Sequence, residues 1–326
     1  MRRLFTAGLI SVIAMVAVAC SGTTTTADPY QLAFNAKNAG WDQVQVDLAL
    51  SVQNGSDSIN LQPGAVRLVV DTKAGKGLFH VSLPVSALVP SVVPSASDLA
   101  QFGVTGDTID LDVLWDGSAL YVKSPLAPSL VTLLMASTGG TAPQGDLTGW
   151  LKLATAADFA SLGALAGGAG GAAGASTAPM ASIGSAADLK AVLTDAGVTL
   201  TYVGTEQHAG TNADHLSVQV DWQKLAASGA ATNPSTQAEV QQVISAAQNA
   251  TFTIDLWLDH SSSRIIAVEV KGASKSDATQ TFDVNVTFKT PDPGASLDTP
   301  ASSVDIPLMQ LVGPMVQQLL GGGLTP

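Results

Sequence analysis

The residues that could do chemistry in this chain are few, and their spacing excludes more than it suggests. Its four histidines, His80, His208, His215 and His260, fall into no HExxH or CxxC arrangement, and neither a GxSxG nucleophile turn nor a GxxxxGK[ST] phosphate loop occurs. Asp259-His260-Ser261 has the composition of a Ser/His/Asp group. Neighbours on an extended strand point to opposite faces, so three consecutive residues cannot form a hydrogen-bonded relay, and a hairpin turn accounts for all three. Asp110 and Asp112 share one strand face with Lys123 on the strand that follows, but they supply too few oxygen ligands for calcium. A solvated sheet face is the expectation there. No catalytic constellation, metal site or cofactor site is predicted, and the protein reads as a non-enzyme.

The remaining reactive group is Cys20, the single cysteine, which can form no internal disulfide. It follows Arg2 and Arg3, an uncharged apolar stretch from Leu4 to Val18, and small residues, which are the three parts of a secretory signal. The apolar run ends at Cys20 and is followed by the polar tether Ser21 to Asp28, so it is short for a membrane span of about 20 apolar residues. Val16-Ala17-Val18-Ala19-Cys20 resembles the lipobox of bacterial lipoproteins, with Ala17 where that motif most often has Leu. The resemblance implies diacylglyceryl transfer to the Cys20 thiol and cleavage before it. The expectation is a signal peptide at 1–19, a lipidated tether at 20–28 and a membrane anchor through Cys20 on the outer face of the cell membrane.

Loss of residues 1–19 would remove two arginines and no acids, leaving 12 basic against 26 acidic residues. No basic run with interleaved aromatics is present, so a nucleic-acid partner is not expected. Hydrophobic residues make up 46% of the chain and charged ones 12%, enough apolar material for one large core or two smaller ones.

Period-2 alternation dominates the elements that must position these residues. Val44, Val46, Leu48, Leu50 and Val52 fall on one face, with Gln45, Asp47, Ala49, Ser51 and Gln53 on the other. The same pattern recurs at Ile109 to Trp115, Leu216 to Trp222 and Phe282 to Phe288. Turn signals at Asn54-Gly55, Asp116-Gly117 and Asp259 to Ser263 join such runs, which predicts an antiparallel sheet with one oily and one wet face. Helices are expected at Pro29 to Asn38, at Ser185 to Ala196 with a capping box, at Thr236 to Ala247, and at Ile306 to Leu320 around Pro314. Between Gly163 and Gly184, fifteen of 22 positions are Gly or Ala and none is charged, which reads as a linker or as a mobile apolar flap.

The lipobox, the N-terminal helix, "DGSALYVKSP" (Asp116 to Pro125), "GWLKL" (Gly149 to Leu153), "GTEQHAGTNADHLSVQVDW" (Gly204 to Trp222) and "IDLWLDHSSSRIIAVEVKG" (Ile254 to Gly272) together resemble the LolA-like lipoproteins of the mycobacterial LppX and LprG type. That resemblance implies an α+β fold, a curved antiparallel sheet forming an unclosed half-barrel with helices on its concave face, and a single domain from 29 to 326 carrying the 163–184 insert. It also implies an apolar cavity for lipid or glycolipid acyl chains. Val46, Leu48, Leu50, Leu68, Val70, Ile109, Leu111 and Val113 are the lining candidates, and Leu311, Pro314 and Met315 are gate candidates together with the Gly/Ala segment. A solid core would give the same alternation. Two functions therefore stand side by side: a lipid carrier of the cell envelope, and an envelope sensor or scaffold that contacts another, unidentified membrane protein.

Overall fold

A computed structural model of the chain describes residues 28–36, 39–55, 57–85, 108–138, 143, 145–155, 183–227, 247 and 249–306. Cys20, the expected signal segment, the Gly/Ala segment up to residue 182, most of the expected 236–247 helix, and Leu311, Pro314 and Met315 lie outside them. No helix among the described residues is long and apolar enough to cross a membrane.

Twelve strands form one sheet: β1 (Gln43–Asn54), β2 (Asp57–Asp71), β3 (Lys76–Pro84), β4 (Thr108–Trp115), β5 (Ala119–Lys123), β6 (Trp150–Thr155), β7 (Val198–His208), β8 (Thr211–Val220), β9 (Ala250–Asp259), β10 (Ile265–Ser274), β11 (Gln280–Lys289) and β12 (Ser303–Asp305). They hydrogen-bond in the order β12-β6-β5-β4-β3-β2-β1-β11-β10-β9-β8-β7. Pairing is antiparallel through β2 to β6 and through β7 to β11, while β12 adds parallel to β6. The order has two ends, so the sheet is not closed into a barrel, as expected for the α+β reading. Among the described residues four helices accompany it: α1 (Pro29–Ala36), α2 (Ala127–Thr138), α3 (Ala186–Asp195) and α4 (Trp222–Ala227).

Contacts divide the chain into two compact units, one of Met1–Trp41, Leu48–Gln62 and Ser176–Lys289, the other of Asp42–Asp47, Pro63–Ala175 and Thr290–Pro326. In the first, the alternation of β7 to β10 puts Leu200, Leu216, Val218, Ile254, Leu256, Val268 and Val270 on one face, where Tyr30 and Ala33 of α1 and Leu189 of α3 close over them. Ser185 caps α3 by accepting the Asp188 amide, which is the expected capping box. The expected strand to Trp222 stops at Val220 instead. Asp221 accepts the Gln223 and Lys224 amides and so starts α4, with Trp222 as its first residue. The Tyr30 hydroxyl accepts the Leu200 amide of the edge strand β7, and a bulge interrupts β7 between Tyr202 and Gly204.

In the second unit, Val69, Leu78, Leu114 and Tyr121 stand opposite one another across β2 to β5; Val69, Leu114 and Tyr121 are buried, and Leu78, Trp150 and Leu297 pack against Leu114 and Tyr121. Gln45 and Asp47, assigned by alternation to a wet face, are buried in the fold. Arg67 Nε donates to Asp47 Oδ1 at 2.9 Å, and Gln45 Nε2 donates to both Asp47 oxygens and to Asp292. Partners remote in sequence satisfy these groups, which is why a period-2 reading leaves them outside.

The β4–β5 turn centres on Asp116, with Gly117 at a φ of +95° that favours glycine. Burial alone would raise the Asp116 pKa, but its carboxylate accepts from Thr299, from the Ser118 and Ala119 amides and from the Ser118 hydroxyl, which together hold it well below the usual carboxylate range. A group whose folded pKa is depressed stabilises the fold above its unfolded pKa and loses that contribution as pH falls toward the folded value. Asp116→Ala should therefore cost about 1–3 kcal/mol near neutral pH, with the gap to wild type narrowing below about pH 4, as read by urea unfolding at a series of pH values.

Gly272 faces Phe282 and Phe252 across β10, β11 and β9, and a Cβ there would overlap the Phe282 ring. The two rings lie over it with centroids 5.5 Å apart. Gly272→Ala should lower the thermal midpoint measurably, and a Gly272→Ala/Phe282→Leu double variant should recover part of the loss.

Candidate functional site

Registers across β2 to β5 assemble the site from the sequence upward. Leu68 stands opposite Phe79, Phe79 opposite Val113, and Val113 opposite Val122, one row of apolar side chains over four strands. Flanking rows add Val66, Val81 and Leu111 on one side and Val70, Gly77, Trp115 and Leu120 on the other, with Leu83 opposite Ile109 beyond them. Among the described residues of β2 to β5, no charged residue falls on this face from the Val66 row to the Leu120 row. Leu68 is 39% exposed and Phe79 38%, against 2% for Leu114 on the reverse face. At β6, Leu151 continues from Val122 and is sealed by Val131 and Met135 of α2 and by Ile306. The α2 helix thus covers one end of the face, and Leu68 and Phe79 remain accessible at the other.

The structure brings together Leu68, Val70, Ile109, Leu111 and Val113, five of the expected lining residues. Val46 belongs to the same compact unit and is half-buried; Leu48 and Leu50 are half-buried in the other. Phe79, Val81 and Val122 also belong to the face, and sequence reasoning missed them. For Phe79 and Val81 the signal was present in Lys76–Pro84, where they and Leu83 alternate with His80 and Ser82, but adjacent Leu78 blurs it.

The reverse face of the same strands is polar toward one end. His80 is opposite Asp112, and Asp112 opposite Lys123. His80 Nδ1 lies 2.6 Å from Asp112 Oδ1. Together with Asp110, Ser124, Pro125, Pro128, Ser129 and Thr148 they line an open cleft of about 600 Å³. Of the expected solvated carboxylate pair, Asp112 is thus engaged with an imidazole, and Asp110 has no side-chain partner among the described residues.

The remaining histidines serve other neighbours. Asp259 accepts from the Ser261 amide and hydroxyl and from the Ser262 amide, while His260 turns away to Asp214, so the Asp-His-Ser run is a turn with no relay. Trp257 is sandwiched between His208 and His215, with ring centroids at 4.2 and 4.7 Å, and its Nε1 donates to Glu206. Burial pushes the His208 pKa below the ordinary imidazole value, against the attraction of Glu206 and Glu269. Among the described residues, no group of three or more His, Cys, Asp or Glu side chains is arranged to hold a metal ion.

Neither a family model nor a curated protein matches the sequence. Among solved structures, the chain is similar to lipoprotein LppX of Mycobacterium tuberculosis, with 11% identity and a TM-score of 0.35 over 83% of this chain and 100% of that one. It is similar to LprF of Mycobacterium bovis, with 12% identity and a TM-score of 0.36 over 86% of this chain and 100% of that one. A complex of MucA and MucB from Pseudomonas aeruginosa matches with 11% identity and a TM-score of 0.26 over 86% of this chain and 64% of that one. At these identities and TM-scores the likeness leaves ligand and partner open.

The two faces of β2 to β5 should respond differently to truncation. Leu114→Ala, on the packed side, is expected to cost about 2–5 kcal/mol, and Phe79→Ala, on the accessible side, about 1 kcal/mol or less, both read from urea unfolding midpoints. Equal losses would mean that Phe79 is core.

Proposed function

We propose that this protein binds an apolar, lipid-like ligand on the β2–β5 face and carries it within the cell envelope, held on the outer face of the membrane through lipidated Cys20. The observation that supports the ligand reading is the Leu68–Phe79–Val113–Val122 row, in which two large apolar side chains stay more than a third exposed inside an otherwise uncharged face. Contiguous exposed apolar surface costs free energy in water, and a bound hydrocarbon chain recovers about 25 cal/mol for each Å² it covers. Binding of this kind needs no covalent chemistry. The anchor rests on the sequence alone, on Cys20 at the end of an apolar leader.

A fluorescent fatty-acyl probe titrated into the purified full chain tests the ligand reading. Leu68→Asp and Phe79→Asp should each weaken probe binding at least about tenfold while leaving the unfolding midpoint close to wild type, because a charge placed there repels hydrocarbon yet remains solvated. Wild-type affinity in both variants would reject this face as the binding surface. If no acyl probe binds at all, the accessible face serves a protein partner and the sensor or scaffold reading takes its place. Separately, Cys20→Ser should move the protein from the detergent phase to the aqueous phase in a phase-partitioning assay; unchanged partitioning would reject the lipid anchor.

A further inference from the structure

The open cleft on the reverse face of β3 to β5 combines polar groups that few ligand classes can satisfy together. His80 Nδ1 lies 2.6 Å from Asp112 Oδ1, which fixes the ring beside that carboxylate. Asp110 and Lys123 are exposed in the same cleft, and among the described residues neither side chain has a hydrogen-bond or ion-pair partner. Ser129 adds a hydroxyl that can donate or accept, and Pro125 and Pro128 contribute flat, uncharged C–H surfaces.

Singly charged ligands fit these charges poorly. A phosphate would pair with Lys123 but would face the carboxylates of Asp110 and Asp112 at the same time. An ammonium would suit the carboxylates and be repelled by Lys123. A neutral polyol meets both demands, because a hydroxyl can donate to the Asp110 carboxylate and accept from the Lys123 ammonium, while its C–H face lies on the proline rings. The volume of about 600 Å³ is in the range of small-molecule sites, and the cleft is open to solvent.

We infer that this cleft binds a neutral polyhydroxylated group, a sugar ring presented either free or as the headgroup of a lipid. The site stands apart from the apolar face: His80, Asp112 and Lys123 alternate along their strands with Phe79, Val113 and Val122, and so project from the opposite side of the sheet. It does not rest on the acyl-binding reading.

Saturation-transfer NMR on the purified full chain, with maltose at up to about 10 mM and with dodecyl maltoside below its micelle concentration, tests the assignment and separates the two sources. Maltose binding that falls at least about tenfold in both Asp110→Asn and Lys123→Met identifies a free-sugar site. Binding of dodecyl maltoside alone, with the same sensitivity, identifies a headgroup site. In either case Leu68→Asp should leave the response to Asp110→Asn and Lys123→Met in place, so failure of the acyl-binding face and failure of the cleft are distinguishable. Both substituted side chains are exposed, and the variants should fold as wild type. The assignment is overturned if neither maltoside responds, if the response survives both substitutions, or if inorganic phosphate or ethanolamine binds more tightly than maltose.

Discussion

Side chains on an extended strand leave alternately to the two sides, and a sheet of this size must do something with both. In the unit containing β7 to β10 the answer is ordinary burial: two amphipathic helices, α1 and α3, lay Tyr30, Ala33 and Leu189 on the apolar face. In the unit containing β2 to β6 the packed side is the one with Leu114 and Tyr121, closed by Trp150 and Leu297, and among the described residues only part of the other side is covered, by α2 over Leu151. The accessible row at Leu68 and Phe79 follows from that uneven cover. It is the direct result of strands apolar on both faces meeting a helix that reaches only one end.

Alternation also lets three neighbouring strands stack two chemistries back to back. Phe79 and His80, Val113 and Asp112, and Val122 and Lys123 are sequence neighbours, yet each pair splits between an apolar surface and a polar cleft. The strands between the surfaces are held in place by groups that tolerate no slip. Asp47 is buried with Arg67 and Gln45, and a one-residue register shift would strand that carboxylate without a donor. Asp116 does the same for the β4–β5 turn through Thr299, far along the chain.

Much of this architecture was legible in the residues. Strand positions followed from period-2 runs, the Asp116-Gly117 and Asp259–Ser263 turns from their composition, and α3 from Ser185 and Asp188. What escaped has identifiable reasons. The α2 helix, APSLVTLLMAST, has no charged residue to mark a wet side, so its periodicity is invisible. With three residues, β12 has no pattern, and its parallel partner β6 lies about 150 residues earlier. Gln45 and Asp47 looked solvated because their partners lie 20 to 247 residues away in sequence. In the candidate site, Ile109, Leu111 and Val113 were readable from alternation with Asp110 and Asp112, whereas Phe79 was hidden beside Leu78, and the pairing of His80 with Asp112 exists only once β3 lies against β4.

An open sheet presents two edges, each a row of unpaired amides and carbonyls on which another chain can add. Here both are poor templates. The Tyr30 hydroxyl occupies the outward amide of Leu200 on β7, and the bulge beyond Tyr202 breaks the ladder where Val203 is most exposed. At the opposite end stands β12, three residues long. A molecule that keeps an oily surface accessible for a ligand runs a risk of self-association that a sealed protein does not, and blunted edges remove the backbone half of that risk. Loss of the Tyr30 hydroxyl would thus be felt less in folding than in storage, as slow growth of ordered aggregates at high concentration.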